Sequence, residues 1–457
     1  MIWANAVSLV NARVVTPDGV ADTVRFSSCI LSIGDRPRHG DTVVDLQGAL
    51  VLPGLINAHD HLELNHYGRL KCRDRYQNAS EWIADLRPRL SADPAIRDGR
   101  AHPLVERLFV GALKNLLAGV TTVAHHNPFY AELRRTMPIR VVRRYGWAHS
   151  FGLERQPAGA RGEPGGEIAA RWRSTPADAP FMVHLAEGID ADAGGELPRL
   201  EAIGCLKPNT VIVHGVAIDR DGWRRVARAG AGLVWCPSSN AFLFGRTASV
   251  RDLLDLNGHA PAVALGTDSR ITGSRDLLDE LRAAREAADV SPAELLAMVT
   301  TRAAALLRQP RAGRIAVGAL ADLIVVPPLG STVRLKPGTT GEPAVVSGFR
   351  RTIEEGPVVP GFGRTIEETP VVSGFGRTVA IATDAANALL AAARRDVRLV
   401  VVDGRPLVGD PDLAEIFAAR RVTVREMCVD GAPKLAESGL VRRIVGCPIR
   451  EPGVVAL

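Results

Sequence analysis

The stretch Pro53-Gly-Leu-Ile-Asn-Ala-His59-Asp60-His61 is an apolar run that ends in two histidines separated by one residue. In an extended strand residues i and i+2 face the same way, so His59 and His61 are expected to point together and to bind one cation. The spacing alone is a weak signal in a chain with 11 histidines. It gains weight from its place at the end of a predicted strand, where barrel enzymes carry their catalytic groups.

The sequence that follows this stretch has the texture of an α/β protein. From residue 55 to about 307, short β-branched runs alternate with Ala-, Leu- and Arg-rich segments of helical period. This alternation predicts βα units around a parallel sheet, and a length of about 250 residues suits a (β/α)8 TIM-like barrel. Seven strands are recognisable, near residues 55–59, 120–125, 140–149, 181–185, 210–214, 231–236 and 262–267. The eighth is not recognisable, because the Gly-, Pro- and Arg-rich stretch 152–180 offers only a helix at 167–173.

The two flanks of this region predict a second, smaller unit. Residues 6–52 alternate apolar and polar side chains between turn signals, and strand-like runs return at 313–327 and 397–408 around an Asp403-Gly404 hairpin signal. Because neither flank alone has enough strands for a stable sheet, we predict one discontinuous β-sandwich. The predicted domains are 1–54 and 313–410 for the β-sandwich, 55–312 for the barrel, and 411–457 for a C-terminal tail with a helical stretch at 413–420.

A tandem repeat interrupts the second flank. Copies of a 13-residue unit begin at Gly348, Gly361 and Gly374. Repeats that build solenoids usually run to about 20 residues or more. We therefore predict a mobile insertion at about 335–379 without a catalytic role.

The composition excludes several classes of protein. The 457 residues are 46% hydrophobic and 23% charged, as in ordinary globular proteins. No apolar run reaches the roughly 18 residues of a membrane span, and no secretory signal is recognisable, so we expect a cytoplasmic protein. The net charge of +6 comes from scattered arginines, and only 5% of residues are aromatic, which argues against a nucleic-acid partner. We expect a small-molecule substrate and a homo-oligomer.

Three later strand ends carry further groups of metal-binding or proton-transfer type. His184 ends one predicted strand and precedes Glu187, His214 ends the next, and Asp268 ends the last. Each alone is explained as well by a core histidine, a surface pair or a helix cap. Together they converge on the face to which the first two histidines point, which predicts one catalytic metal site.

Motifs of this kind recur along most of residues 1–330 in a fixed order. They are PGLINAHDH (53–61), GVTTV (119–123), HLAEG (184–188), VHGV (213–216), CPSSN (236–240), LGTDS (265–269) and GRIAVGALADLIVV (313–326). In this combination the chain resembles the amidohydrolase superfamily, in the branch of guanine, cytosine and adenosylhomocysteine deaminases and triazine hydrolases. The combination is specific for the superfamily and not for a substrate.

The resemblance implies roles for individual residues. It implies one divalent metal ion, with zinc expected and iron or manganese as alternatives, on the ligands His59, His61, His184 and Asp268. In this branch Asp268 would also accept the proton of the attacking water, His214 would orient that water, and Glu187 would shuttle a proton. We also expect Asn65, His125 and Asn240 as substrate contacts, with a structural role as the alternative for each.

The expected function is that of a metal-dependent hydrolase acting on C–N bonds. The leading hypothesis is deamination of a small nitrogen heterocycle by a metal-activated hydroxide. One alternative is hydrolysis of a cyclic amide or of an N-substituted or halogenated ring. Another is a non-catalytic scaffold that keeps the fold, although such a protein is expected to lose ligands and this chain has all of them.

Overall fold

The computed structural model describes residues 5–134, 137–153, 165–256, 262–330 and 374–457. Its N-terminal part contains only strands. These are β1 (Val7–Val10), β2 (Arg13–Thr16), β3 (Gly19–Ala21), β4 (Val24–Phe26), β5 (Ile30–Ile33), β6 (Thr42–Asp45) and β7 (Leu50–Pro53). Each is three or four residues long, because the turn residues recur at short intervals.

Eight parallel strands follow and carry the candidate site at their C-terminal ends. They are β8 (Leu55–Asp60), β9 (Val120–His125), β10 (Arg140–Val141), β11 (Gly146–Ala148), β12 (Phe181–Leu185), β13 (Thr210–His214), β14 (Gly232–Trp235) and β15 (Val263–Leu265). They form a three-stranded sheet in the order β10-β9-β8 and a five-stranded sheet in the order β11-β12-β13-β14-β15. Nearly all of their residues are buried, as expected for parallel sheets covered by helices.

The eighth strand does not lie in the stretch 152–180, where the sequence analysis left a place for it. The strand predicted at 140–149 is instead two short strands, β10 and β11. The polar pair between them explains the interruption, since Arg144 bonds Asp178 on the surface and Arg143 donates to the carbonyl oxygen of Arg134. The stretch 152–180 supplies the predicted helix, at Gly166–Ser174.

The segments between and after these strands are mainly helical. Their helices are α1 (Ala79–Ala92), α2 (Pro94–Ala101), α3 (Leu104–Leu117), α4 (Gly166–Ser174), α5 (Ala191–Gly194), α6 (Glu196–Ala202), α7 (Arg220–Arg228), α8 (Pro237–Phe244), α9 (Val250–Leu254), α10 (Leu277–Ala287), α11 (Pro292–Met298) and α12 (Thr301–Leu306). Several begin at side chains that accept first-turn backbone N–H groups, among them Asp219, Asp276 and Ser291.

The chain then returns to the β unit. The remaining elements are β16 (Leu323–Val326), α13 (Gly374–Ala391), β17 (Leu399–Val402), β18 (Arg405–Gly409), α14 (Ala414–Ala419), β19 (Val424–Val429), β20 (Ala432–Glu437), α15 (Ser438–Gly446) and β21 (Val454–Ala456). β16 pairs antiparallel with β7, which joins the two flanks of the chain in one sheet. The predicted hairpin is confirmed, because β17 and β18 pair antiparallel around Asp403 and Gly404, both with positive φ.

Two sheets make up this β unit. The larger has nine strands in the order β21-β19-β20-β18-β17-β16-β7-β2-β3, and the smaller has four in the order β5-β4-β1-β6. Leu9 and Phe26 of the smaller sheet share one buried apolar cluster with Val51 and Leu323 of the larger. The sheets are therefore held together by a common core.

The C-terminal segment is more regular than the sequence analysis expected. Beyond the predicted helix near 413–420, found as α14, the hairpin β19–β20 and the strand β21 extend the large sheet. Asp430 and Gly431 form the hairpin turn with φ values of 48° and 85°, so this Asp-Gly pair was the overlooked signal.

Most of the predicted insertion at 335–379 lies outside the described residues, which resume at Gly374 as helix α13. None of the described helices has the length and apolar character needed to cross a lipid bilayer.

Candidate metal centre and active site

Three histidines from two strand ends meet at one point. One ring nitrogen from each of His59, His61 and His184 lies within 4.8 Å of the others. The Nε2 atoms of His59 and His184 are 3.2 Å apart. This is shorter than the separation expected for two imidazoles that share neither a proton nor a metal ion. The first two side chains point the same way because they are two residues apart at the end of β8, and the third joins them from β12.

The protonation state of these rings suits a cation. Burial lowers the pKa of His59 and of His184, and neighbouring histidines lower both further. The rings are therefore neutral at pH 7, which is the form that binds metals. The Nδ1 atom of His59 has no hydrogen-bond partner among the described residues, and a cluster of neutral, close-set nitrogens fits a divalent ion.

Asp268 completes the cluster from the loop after β15. Its Oδ1 atom is 3.8 Å from Nε2 of His59 and 3.6 Å from Nε2 of His61. Burial acts to raise the pKa of Asp268, but the nearby His61 and His214 rings and two hydroxyl donors hold it below its usual value. The hydroxyls belong to Ser239, at 2.9 Å from Oδ2, and Thr272, at 2.8 Å. Asp268 is thus an oriented, ionised carboxylate.

Two of the sequence-predicted proton-transfer residues form a pair beside this cluster. The Nε2 atom of His214 lies 3.5 Å from Oε1 of Glu187. Burial raises the pKa of Glu187, the His214 ring lowers it, and the nearby Asp268 carboxylate raises it. Together these effects bring the pKa of Glu187 to about 7. A carboxyl group with a pKa near neutral can both accept and donate a proton at pH 7.

Asn240 orients His214. Its Oδ1 atom lies 2.8 Å from Nδ1 of His214, and its amide nitrogen donates to Oγ1 of Thr247 at 3.0 Å. An amide oxygen only accepts, so Nδ1 carries the proton and Nε2 is free to face Glu187. The structure therefore places the Asn240 oxygen against the ring of His214.

The residues at the end of β9 surround the cluster. His126 stacks on His184 with ring centroids 4.2 Å apart and donates to the carbonyl oxygen of Ala148 at 2.8 Å. His125 points elsewhere, with Nδ1 3.7 Å from Oε2 of Glu63. His126 is therefore closer to the candidate ligand rings than His125, although His125 was the expected substrate contact.

Asn65 lies in a buried polar network behind the cluster. Its Nδ2 atom donates to Oδ1 of Asp60 at 2.7 Å, and its Oδ1 atom accepts from Nζ of Lys114 at 2.7 Å and from the backbone of Arg270 at 3.2 Å. Because its amide is engaged in this way and the residue is only 1% exposed, the surroundings of Asn65 favour a structural role over substrate contact. Sequence analysis missed the lysine, whose position inside the apolar run of α3 was the available signal.

Two strained backbone positions coincide with the site. His214 has φ of 76° and Asp268 has φ of 52°, values in the left-handed region that side chains other than glycine adopt rarely. Strain of this kind clusters at functional sites, where surrounding bonds hold it in place. Here the left-handed backbone conformation sets the direction of each side chain at the end of its strand.

A cavity of about 250 Å³ lies beside the cluster. Trp147, His149 and Arg171 contribute to its lining. The ring centroid of His149 is 6.3 Å from that of His184, so the cavity approaches the histidine cluster on the side of β11. The guanidinium of Arg171 lies over Trp147 at 5.1 Å from the ring centroid.

The chain is similar in sequence to known deaminases. Residues 176–361 match the model of the amidohydrolase family. A 5-methylthioadenosine/S-adenosylhomocysteine deaminase of Haloarcula marismortui is 30% identical over 331 residues, which are 63% of this chain and 75% of the relative. The enzyme of the same name from Natronomonas pharaonis is 28% identical over 378 residues, covering 70% of this chain and 84% of the relative.

Solved structures share the fold. An atrazine chlorohydrolase of Arthrobacter aurescens in complex with zinc superimposes with a TM-score of 0.61 at 20% identity, over 91% of this chain and 99% of that chain. An adenosine deaminase of Xanthomonas campestris with bound zinc gives a TM-score of 0.59 at 19% identity, over 92% and 97%. Together with the histidine cluster, these relatives support a divalent metal site. The chain belongs to the amidohydrolase family.

Proposed function

We propose that this enzyme removes an amino group from a small nitrogen heterocycle by hydrolysis, using one divalent metal ion, zinc first among the candidates. The observation that carries the proposal is the convergence of three imidazoles with the ionised Asp268 and the Glu187–His214 pair. The named relatives act on adenine-containing or triazine compounds, which supports a heterocyclic substrate.

The residues that would hold the ion are His59, His61, His184 and Asp268. A bound divalent ion of this kind lowers the pKa of water to about 7 and so supplies a nucleophile near neutral pH. The set of three imidazoles and one carboxylate suits zinc, iron and manganese alike, and the relatives with bound zinc favour zinc.

The protein groups then move protons around the attacked carbon. Asp268 accepts the proton of the attacking water, because its low pKa keeps it ionised and its oxygen faces the histidines. The Nε2 atom of His214 accepts a hydrogen bond from the attacking water and orients it, and Asn240 holds the ring in place. Glu187, protonated at the start, gives its proton to the ring nitrogen, and Asp268 gives the proton it took from water to the leaving amine. Glu187 regains a proton from the new hydroxyl group as the carbonyl forms. Water and the C–N bond are consumed, and a carbonyl group and ammonia are formed.

The cavity beside the cluster supports a planar substrate. The guanidinium of Arg171 lies over the Trp147 ring, so the planar surface on that side of the indole is the guanidinium. Flat heterocycles stack on such surfaces. His125 and Asn65, expected from the sequence as substrate contacts, stay proposals of lower rank, because their polar atoms already meet Glu63 and the Asp60 network.

We further propose that the eight parallel strands close into one barrel. Ile56 and Ala58 of β8 share an apolar cluster with Met182, Val211 and Ala264 of the other sheet. The backbone N–H of Asp268 also donates to the carbonyl oxygen of His59 at 3.1 Å, which links the ends of β15 and β8. Closure would bring all ligands to one rim.

The test is a product assay on protein of known metal content. Metal-loaded enzyme is incubated with a panel of amino-substituted purines, pyrimidines and triazines, and ammonia, chloride and alkylamine are measured separately. Release of ammonia in equal amount to the substrate lost is the expected result. Release of chloride or alkylamine alone would favour the ring-substituent hydrolase, and no product from any compound with the metal site full would favour the scaffold.

A further inference from the structure

A second cleft, of about 410 Å³, has none of the four candidate metal ligands among its lining residues. It is formed by residues 65–69 after β8, by residues 270–275 after Asp268, and by residues 450–452 near the C-terminus. Four guanidinium side chains contribute to its lining, and they are those of Arg69, Arg270, Arg275 and Arg450. No aspartate or glutamate is among its lining residues.

The positive charge in this cleft is only partly neutralised by ion pairs. Arg270 bonds both oxygens of Glu451, at 2.8 and 2.7 Å, and Arg275 bonds Asp430 at 2.5 Å. Glu451 and Asp430 must also serve Arg394, whose guanidinium contacts both carboxylates. Arg394 also lies 3.9 Å from Asp276, so these three arginines share three carboxylates and leave none for the other two arginines of the cleft.

The other two arginines have no carboxylate partner in the part of the chain that the structure describes. Arg69 donates through Nε to the carbonyl oxygen of Gly273 at 2.9 Å, which leaves its terminal nitrogens for another acceptor. Arg450 has only long bonds from Nη1 to the backbone of Ile444 and Val445, at 3.4 and 3.5 Å. Both residues are exposed, so both can reach a ligand from solvent.

We propose that this cleft binds the phosphate groups of a small molecule. Guanidinium groups bind phosphate by paired, charge-assisted hydrogen bonds, and several of them around one concave site select a multiply charged oxyanion over a neutral ligand. Arg270 and Arg275 are held in place by their acidic partners, while Arg69 and Arg450 supply the unneutralised charge. The ligand contacts neither the histidine cluster nor the cavity beside Trp147.

The experiment measures binding and not turnover, so its outcome is independent of the proposed deaminase activity. Fructose 1,6-bisphosphate, which carries two phosphates and no heterocycle, is titrated into the full chain by calorimetry at about 0.15 M salt, where exposed long-range attraction is screened. Fructose and citrate are titrated in parallel. We expect saturable binding of the bisphosphate, at least tenfold weaker binding of citrate, and no binding of fructose.

Two variants locate the site. The double variant Arg69→Gln/Arg450→Gln is expected to bind the bisphosphate about a hundredfold more weakly, or about tenfold per lost guanidinium. Arg87→Gln removes an equal single charge from the exposed face of α1, outside the cleft, and is expected to bind as the wild type does. Since all three positions are exposed, the fold should persist in each, and circular dichroism checks this.

The proposal is overturned by any of four results. These are the absence of saturable binding, equal binding of citrate, unchanged binding in the double variant, and a loss of about tenfold or more in Arg87→Gln.

Discussion

Lys114 and Asp60 form a salt bridge of 2.9 Å in which neither side chain has any solvent exposure. Asp60 lies between the candidate metal ligands His59 and His61 and points the opposite way, toward α3. Asn57, Asn65 and Asn115 surround the pair, and each donates a side-chain hydrogen bond to the Asp60 carboxylate. The strand that carries the two histidines is thus stabilised on its opposite face by a buried ion pair whose carboxylate also accepts hydrogen bonds from three asparagines.

Removing the cation from this network is expected to destabilise the protein strongly. In Lys114→Met the Asp60 carboxylate stays buried without a counter-ion, and breaking such a pair costs about 3 to 5 kcal/mol of unfolding free energy. Denaturant unfolding measures the loss. Asp60→Asn/Lys114→Met, which leaves no charge, should recover much of it, and Lys71→Met on the exposed loop should change stability by less than about 0.5 kcal/mol. A loss in Lys114→Met no greater than in Lys71→Met would contradict this role.

The hydroxyl of Ser239 is expected to lower the pKa of Asp268, the proposed proton acceptor. It donates to Oδ2 of Asp268 and so favours the ionised form. In Ser239→Ala the pKa of Asp268 should rise, and since the ionised form is the active one, the acid limb of the kcat profile should move to higher pH. We also expect kcat to fall about tenfold, the worth of one hydrogen bond to a charged group. Thr272→Val should shift the same limb, and an unmoved limb in both would refute the assignment.

The sequence predicted which side chains meet at the candidate site because these residues follow short-range rules. His59 and His61 are two residues apart on one strand, and His184, His214 and Asp268 each end an apolar run. Since parallel strands end at one edge of a sheet, their convergence follows from periodicity alone. The orienting bonds of Asn240 and Ser239 could not be predicted, because they depend on how the turn of α8 packs against two other strands.

Two errors in the predicted fold have local causes. The run at 140–149 looks like one strand because both ends are apolar, and the Arg143-Arg144 pair inside it breaks the ladder. The C-terminal segment looked irregular because β19 alternates weakly. Val424 and the consecutive residues 427–429 are buried or half-buried, and the two residues between them are exposed. In both places tertiary contacts determine where the strands form, because the local sequence pattern does not.

Glu280 is expected to make stability depend on pH. Burial raises the pKa of Glu280 from 4.5 to about 7, and its Oε2 atom has no hydrogen-bond partner among the described residues. Between these values the folded state holds a proton that the unfolded state releases, so this carboxyl favours folding below pH 4.5 and its contribution is lost as the pH rises through 7. Glu280→Gln should therefore match the wild type near pH 4.5 and be about 1 to 3 kcal/mol more stable at pH 8.5. Glu286→Gln, on the exposed side of the same helix, should show no such pH-dependent gain.

Removal of the metal ion is expected to abolish turnover and to lower the melting temperature together. The four proposed ligands come from the end of β8, from β12 and from the loop after β15, so an ion would bind the folded arrangement and not the unfolded chain. At a free ion concentration about a thousandfold above Kd this linkage is worth about 4 kcal/mol. Dialysis against a chelator, followed by elemental analysis, calorimetry and readdition of zinc, measures both effects. His184→Ala should reproduce the loss without recovery on zinc addition, whereas His39→Gln, an exposed histidine of the β unit, should bind and recover like the wild type. Full activity in a chelated sample shown to hold no metal would exclude the proposed chemistry, because neutral imidazoles alone do not activate water to this extent.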